Sequence, residues 1–309
     1  MKILLTGATG QLGRAVLARL DSQQHQIYAP TRQHCDLAQP QQVRQLIAEF
    51  KPELIINPAA YTAVDLAESE PALAHTINAE AVCEIATAAR QLGATVIHYS
   101  TDYVFDGSKA DANGDYLPYQ ENEACAPLNC YGASKRAGEQ ALQASGAAHL
   151  ILRTSWVYTW YGKNFLLTML RLAQQRPELS IVADQMGAPT SADFLAQATL
   201  ALLPQLKPAQ DYDWWQEYRG IYHLSCDGQT SWHGFASEIF KQAEARGLIQ
   251  NQPNLLAIPS SAYPTPARRP QNSLLDCHKI SQQFGIQRPD WRVALSEVLD
   301  KYQDSLAQA

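Results

Sequence analysis

The chain lacks the marks of several protein classes. No apolar run approaches the roughly 20 residues that span a bilayer, and the short run after Met1 ends in glycines, unlike a signal peptide. We therefore expect a cytoplasmic protein with no membrane partner. The formal net charge is -6 and Arg268-Arg269 is the one short basic cluster, so nucleic acid is not an expected partner. A small-molecule ligand fits this charge balance better.

The six cysteines form no recognisable metal or redox pattern. None lies in a CxxC pair, and none has a histidine at ligand spacing. Reduced, structural thiols are the expectation, and no metal site is predicted. With 309 residues, of which 46% are hydrophobic, the chain is long enough for one large domain or one domain with a smaller lobe.

Short apolar runs alternate with helical stretches over residues 1–158. Runs such as KILLT, ELIIN and ATVIHYST are apolar on both faces, which is typical of parallel strands covered by helices on both sides. We predict an α/β fold with a doubly wound, Rossmann-type parallel sheet in residues 1–158, and ligands beyond the carboxyl ends of its strands. Residues 159–309 are predicted to form mainly a smaller substrate-binding lobe, with the chain crossing between the two parts.

A glycine-rich turn follows the first predicted strand. Gly7, Gly10 and Gly13 have GxxGxxG spacing, and a helix is predicted to begin near Gln11. Glycines allow a tight turn and close approach of backbone N–H groups to a pyrophosphate, whose charge the helix N-terminus favours. The turn, including Leu12, therefore predicts a dinucleotide site. The competing interpretation is a turn without catalytic meaning.

The end of the second predicted strand bears on the phosphate state of the cofactor. It reads Thr31-Arg32, without the acid that NAD-specific proteins usually place there on the ribose 2′-hydroxyl. Arg32 suits a 2′-phosphate, so NADPH is favoured, with NADH as an alternative cofactor. A merely solvated Arg32 is the competing interpretation.

A second motif pairs Tyr131 with Lys135 on a predicted helix from Tyr131 to Ala144. Residues four apart share one helical face, and a neighbouring cation is expected to favour the phenolate and bring proton transfer toward neutral pH. Thr101 ends the predicted strand ATVIHYST and is the candidate for polarising a substrate carbonyl; a turn or cap role competes. His98 lies within that strand and is interpreted as a core histidine.

Several longer runs, among them AAYTAVDLAESEP, HYSTDYVFDG, YGASKRAGE, DQMGAPTSA and PTPARRPQNS, resemble the dTDP-4-dehydrorhamnose reductase family over almost the whole chain. The resemblance implies NADPH- or NADH-dependent reduction of a nucleotide-linked 4-keto sugar, with Thr101, Tyr131 and Lys135 as catalytic residues. It also implies cofactor contacts at Asp36, Leu37, Ala59, Ala60 and Tyr61. The implied substrate contacts are Thr62, Val64, Tyr103, Val104, Trp156, Asn164 and Arg268, the last with Arg269 as the alternative guanidinium.

The sequence departs from the family pattern in three places. Some members carry a carboxylate that serves a Mg²⁺-bridged dimer where this chain has Arg14-Ala15, so we expect a monomer or weak homodimer without that metal. Segments 107–123 and 211–220 are longer than expected, which suggests altered access to the pocket. The second is aromatic and is assigned to surface packing.

Three other functions remain open at this level. Sugar-nucleotide dehydratases and epimerases share the cofactor turn and the Tyr/Lys pair, and a non-catalytic NADP-binding regulatory subunit can keep both. Dehydration needs a further acid/base couple after the strand-end threonine. The chain has Asp102-Tyr103 there, and a tyrosine is a poor base at neutral pH, which weighs against dehydration.

Overall fold

A computed structural model describes residues 1–307. Its centre is a sheet of six parallel strands. These strands are β1 (Lys2–Leu5), β2 (Gln26–Tyr28), β3 (Leu54–Asn57), β4 (Thr95–Thr101), β5 (Ala148–Thr154) and, from the second half of the chain, β10 (Gly220–His223). Their order across the sheet is β10-β5-β4-β3-β1-β2. The predicted doubly wound parallel sheet is confirmed.

Helices cover both faces of the sheet, and each face has its own apolar core. Every residue of β3, β4 and β5 is buried, because strands enclosed on both sides have no face to show to water. The helices are α1 (Gln11–Leu17), α2 (Pro40–Phe50), α3 (Val64–Ala67), α4 (Pro71–His75), α5 (Ala81–Leu92), α6 (Cys130–Ala144), α7 (Phe165–Ala173), α8 (Ala192–Leu202), α9 (Tyr212–Tyr218), α10 (Trp232–Ala245), α11 (His278–Phe284) and α12 (Trp291–Ala307).

The second half of the chain adds small strand pairs beside the main sheet. These are β6 (Val157–Tyr158) with β9 (Thr190–Ser191), β7 (Glu178–Val182) with β12 (Asn254–Ile258), and β8 (Met186–Gly187) with β11 (Thr230–Ser231). Because β10 returns to pair with β5, the chain crosses between the two halves. The division into two parts at residue 158 stays a prediction.

The two long segments lie away from the cleft that the sheet forms. In segment 107–123, Tyr119 exchanges backbone hydrogen bonds with Leu274 and Asp276, at 2.9 Å and 2.8 Å. In segment 211–220, α9 buries Trp215 at the β5 side of the molecule. No residue of either segment lines the cavity described below, and the effect of the two segments on access to it stays a prediction. Within residues 1–307, no helix is long and apolar enough to cross a membrane.

Candidate active site

A cavity of about 820 Å³ opens at the carboxyl edge of the sheet. Residues that follow β1, β2, β3, β4 and β5 all contribute to its wall. From β1 the chain builds outward to β2 and then returns on the other side through β3 to β5. A doubly wound sheet binds its ligands at such a reversal of strand order, because the loops there separate and leave a crevice.

The glycine turn forms one end of the cavity and leaves no room for side chains. Gly7 has φ +59°, and a Cβ atom on it would lie 2.9 Å from the Ala59 Cα. A Cβ on Gly13 would lie 2.0 Å from the Gly7 carbonyl oxygen. The turn is therefore a bare backbone surface at the N-terminus of α1, which fits a dinucleotide pyrophosphate. Gln11, Leu12 and Ala60 also line this end.

Arg32, Asp36 and Leu37 line the cavity beyond the end of β2. The Arg32 side chain is 74% exposed, and its Nε lies 3.4 Å from the Asp36 carboxylate. An exposed pair of this length contributes little to stability, so the guanidinium remains able to bind another anion. This arrangement fits the 2′-phosphate of NADPH.

Thr101, Tyr131 and Lys135 meet at the cavity wall. The Thr101 Oγ donates to the Asp102 carboxylate at 2.9 Å and accepts from the Tyr103 N–H at 3.2 Å. The Tyr131 hydroxyl lies beside the Thr101 hydroxyl. Lys135 is one helical turn further along α6, and its Nζ donates to the Tyr99 carbonyl at 2.7 Å. The structure thus brings together the three predicted catalytic residues.

Two features of the chain set the position of α6. The Asn129 side chain caps the helix by accepting from the Gly132 N–H at 2.8 Å. Gly132 packs so closely that a Cβ on it would lie 2.2 Å from the Tyr103 carbonyl oxygen. The first turn of α6 therefore rests directly on the backbone after β4, and this places Tyr131 against Thr101.

The pKa values of this group differ from the expectation. The pKa of Tyr131 is raised to about 12, mainly by burial, with the Thr101 hydrogen bond acting to lower it and the nearby Asp102 acting to raise it. Burial lowers the pKa of Lys135 to about 8, against an opposing effect of Glu139. The protein without cofactor therefore shows no shift of the Tyr131 pKa toward neutral pH, because desolvation of the phenolate is the largest effect. Tyr131 carries its proton at pH 7.

The other end of the cavity is aromatic. Thr62, Val64, Tyr103 and Trp156 line it, and the Tyr103 ring meets the Tyr131 ring edge-on at 5.8 Å between centroids. Trp156 has φ +48°, an unfavourable backbone conformation for a bulky residue. Its ring stacks on Trp232 at 3.6 Å. A strained backbone of this kind persists only where the surrounding contacts hold it firmly. The packing around Trp156 therefore fixes the position of its ring.

Four predicted contact residues lie outside the cavity wall. Val104 is fully buried in the apolar core. Asn164 caps α7, and its amide donates to the Gln11 side chain at 2.9 Å. Arg268 points to solvent, and the Tyr61 hydroxyl is directed at Glu70, at 2.6 Å. The direct ligand contacts predicted for these four residues have no support from their placement.

Several cavity residues were not among the predicted contacts, and Arg269 was predicted only as the alternative to Arg268. Arg269, adjacent to the predicted Arg268, lines the wall and pairs with Asp65 at 2.9 Å. Asp102 lies beside Thr101, and burial raises its pKa to about 6. Trp232 comes from α10. The sequence offered a signal for Arg269 alone, in the RR pair, and could not decide which arginine faces inward. Among residues 1–307, no group of three or more His, Cys, Asp or Glu side chains is placed to hold a metal ion.

The parallel sheet, the bare glycine turn at its carboxyl edge and the Thr/Tyr/Lys group define the chain as a nicotinamide-dinucleotide oxidoreductase of the short-chain dehydrogenase type. Residues 1–304 match the family model described as "RmlD substrate binding domain". The chain is 46% identical over 306 residues to the dTDP-4-dehydrorhamnose reductase of Shigella flexneri, with 97% of this chain and 98% of that protein covered. The chain belongs to the dTDP-4-dehydrorhamnose reductase family.

Two solved structures agree with this placement. The dTDP-4-dehydrorhamnose reductase from Bacillus anthracis str. Ames, in complex with NADP, superposes with a TM-score of 0.84 at 34% identity, covering 97% of this chain and 99% of that one. The Clostridium acetobutylicum ortholog gives a TM-score of 0.87 at 34% identity, covering 98% and 100%.

Proposed function

We propose that this chain reduces the C4 keto group of dTDP-4-dehydro-L-rhamnose to dTDP-L-rhamnose with NADPH, in nucleotide-sugar biosynthesis. The observation that carries the proposal is the meeting of Thr101, Tyr131 and Lys135 on the wall of one cavity whose other end is the glycine turn. The relatives that share nearly the full length of the chain are named for this activity. A cytoplasmic location and a monomeric or weakly dimeric state belong to the same proposal.

Tyr131 is the proton donor in this proposal. Its raised pKa keeps the phenol protonated at neutral pH, which is the state that reduction of a ketone requires. Thr101 lies beside the phenol and orients the carbonyl oxygen, while Lys135 holds the cofactor ribose from the buried side. When bound, NADPH supplies the hydride to C4. The carbonyl oxygen then takes the proton that Tyr131 releases.

The cofactor contacts follow from the cavity wall. The backbone of Gly7, Gly10 and Gly13 would hold the pyrophosphate, and Arg32 would hold the 2′-phosphate. Ala59 and Ala60 lie opposite the turn, and small side chains there leave space for the cofactor. The separate contributions of these residues remain predictions.

The aromatic end of the cavity would hold the sugar nucleotide. Tyr103 and Trp156 offer flat apolar faces to the sugar or the base. Arg269 offers a guanidinium suited to a diphosphate, and its partner Asp65 is a surface carboxylate that the diphosphate would replace. We therefore assign the predicted arginine contact to Arg269 in place of Arg268.

The test follows NADPH oxidation by absorbance, with dTDP-4-dehydro-6-deoxyglucose supplied together with a 3,5-epimerase and, separately, without it. Oxidation that requires the epimerase supports the proposal. Oxidation without it indicates a different 4-keto sugar substrate. If NADPH binds but is not oxidised in either assay, the result favours the alternative that the chain is an epimerase or a regulatory subunit.

A matched variant tests the proton donor. Tyr131→Phe keeps the ring that packs against Tyr103 and removes only the hydroxyl, so we expect kcat to fall by about 100-fold or more while the Kd for NADPH changes little. A second phenylalanine variant, Tyr116→Phe, alters a hydroxyl on segment 107–123 outside the cavity and serves as control. Undiminished turnover in Tyr131→Phe contradicts the assignment.

A further inference from the structure

A histidine lies directly behind the catalytic group. His98 occupies the middle of β4 and is fully buried. Its Nε2 lies 3.3 Å from the Lys135 Nζ, and its Nδ1 lies 3.0 Å from the side-chain amide of Asn57 on β3. The Asn57 amide in turn lies 2.5 Å from the Thr6 hydroxyl. The proposed reaction uses none of His98, Asn57 and Thr6.

His98 is one of two hydrogen-bond acceptors on β4 that hold the ammonium group of Lys135. A lysine has three N–H donors and no acceptor. One N–H donates to the Tyr99 carbonyl at 2.7 Å, and a second is directed at His98 Nε2. Both acceptors belong to adjacent residues of β4, which is fixed in the centre of the sheet. With two donors held, the third can serve the cavity that Lys135 lines.

This arrangement requires one tautomer of the histidine. Nε2 accepts from a charged lysine only if it carries no hydrogen, so the single hydrogen of a neutral imidazole must be on Nδ1. In the structure the Asn57 amide nitrogen lies at Nδ1 and its oxygen accepts from Thr6. An Nδ1–H requires the amide turned by 180°, so that the Asn57 oxygen accepts from Nδ1 and the nitrogen donates to Thr6. The Thr6 hydroxyl suits either orientation of the amide, because a hydroxyl both donates and accepts.

The surroundings keep His98 neutral. Burial is the main cause that lowers its pKa well below the usual value, and the charge of Lys135 acts in the same direction. On β5, His149 lowers it further, while Asn57 on β3 opposes these effects. On α6, Glu139 is the acidic group that favours the charged form of Lys135. These effects together favour a neutral His98 imidazole that accepts a hydrogen bond from the charged Lys135 ammonium.

We propose that His98 is a positioning residue for Lys135: as the neutral Nδ1–H tautomer, braced by Asn57, it aims the remaining N–H of the lysine at the cofactor ribose and supports the lysine charge. The inference rests on the proposed role of Lys135. A histidine that only fills space in the core would not need Nε2 free of hydrogen, and its replacement would not change the ionisation of the lysine.

The first measurement is NMR of the whole protein labelled with ¹⁵N at its histidines, in which the nitrogen shifts distinguish a bare ring nitrogen from one that carries hydrogen. The signal of His98 is assigned by its disappearance in His98→Gln. A bare Nε2 at pH 7 is the expected result. Hydrogen on Nε2 overturns the proposal, because that nitrogen then cannot accept from the lysine.

The second measurement compares NADPH binding, by cofactor fluorescence from pH 6 to 9.5, in three variants. His98→Leu removes the acceptor, so we expect binding on the order of tenfold weaker at pH 7.5 and an alkaline loss of affinity that begins at lower pH than in the wild type. His98→Gln can present an oxygen near the same place and should recover most of the affinity.

His149→Leu is the control variant. His149 is buried on the neighbouring strand β5, and its Nδ1 lies 2.8 Å from the Ala147 carbonyl. This variant should lose stability without moving the pH profile. Identical profiles for His98→Leu and His149→Leu overturn the proposal. Both measurements omit the sugar, so a failure of the proposed substrate does not affect them.

Discussion

The glycine turn allows a quantitative prediction for Gly13→Ala. The new Cβ would lie 2.0 Å from the Gly7 carbonyl oxygen and 2.6 Å from its carbon, which are backbone atoms that cannot rotate away. Normal non-bonded separations are roughly 3.5 Å, so α1 must move from the turn by at least about 1 Å. Overpacking of this kind costs about 1–3 kcal/mol. We expect the free energy of unfolding to fall by that amount, with NADPH binding weakened as the turn deforms.

Gly10→Ala is the matched control within the same turn. Gly10 has φ -77°, which any residue adopts, and a Cβ there would meet only the Gly7 carbonyl oxygen, at 3.3 Å. In urea unfolding without cofactor it should differ from the wild type by less than about 0.5 kcal/mol. Its Cβ would face the cofactor, so NADPH titration should still show weaker binding. Equal stability of the two variants would refute the close approach of α1 to the turn.

Three further predictions concern two buried charged groups and one partly buried ring. Arg153→Met should cost about 3–5 kcal/mol in denaturant unfolding, because Arg153 donates to the fully buried Glu139 carboxylate at 2.8 Å and 2.7 Å; a cost below about 1 kcal/mol would contradict it. Asp102 has its pKa raised to about 6, so the folded state binds the proton more tightly and wild-type stability falls from about pH 4 to pH 6. Between these pH values the free energy of unfolding of the wild type should fall by at most roughly 3 kcal/mol more than that of Asp102→Asn. A difference in stability between the two proteins that stays constant with pH would disprove this prediction. Trp232→Leu removes the ring behind Trp156 and should raise KM for the sugar nucleotide roughly two- to tenfold with KM for NADPH unchanged; an equal rise in both would show general damage.

Local patterns predicted the first half of the fold well. The runs ELIIN and ATVIHYST predict β3 and β4, because strands buried on both sides are apolar throughout. The predicted helix from Tyr131 to Ala144 differs from α6 by one residue. A π-helical turn over Thr76–Glu80 leads directly into α5. That turn packs against α6, where a Cβ on Gly138 would lie 2.1 Å from the Asn78 carbonyl oxygen, a contact that periodicity cannot reveal.

The sequence by itself determined the features that depend on a few neighbouring residues. The spacing of Gly7, Gly10 and Gly13 sets a backbone surface without side chains, and Tyr131 and Lys135 share a helical face wherever the helix lies. These properties follow from bond geometry and steric exclusion, so they can be read before the fold is known.

Only the tertiary structure decided which distant groups meet. Asp65 and Arg269 are 204 residues apart in the chain, and only the folded chain shows that Arg269, in place of Arg268, faces the cavity. The tautomer proposed for His98 likewise depends on Asn57 and Lys135, on other elements of the fold. Desolvation, which raises the pKa of Tyr131 and lowers that of Lys135, is a property of the packed surroundings. No pattern of neighbouring residues encodes these effects, because each depends on atoms brought in by the rest of the chain.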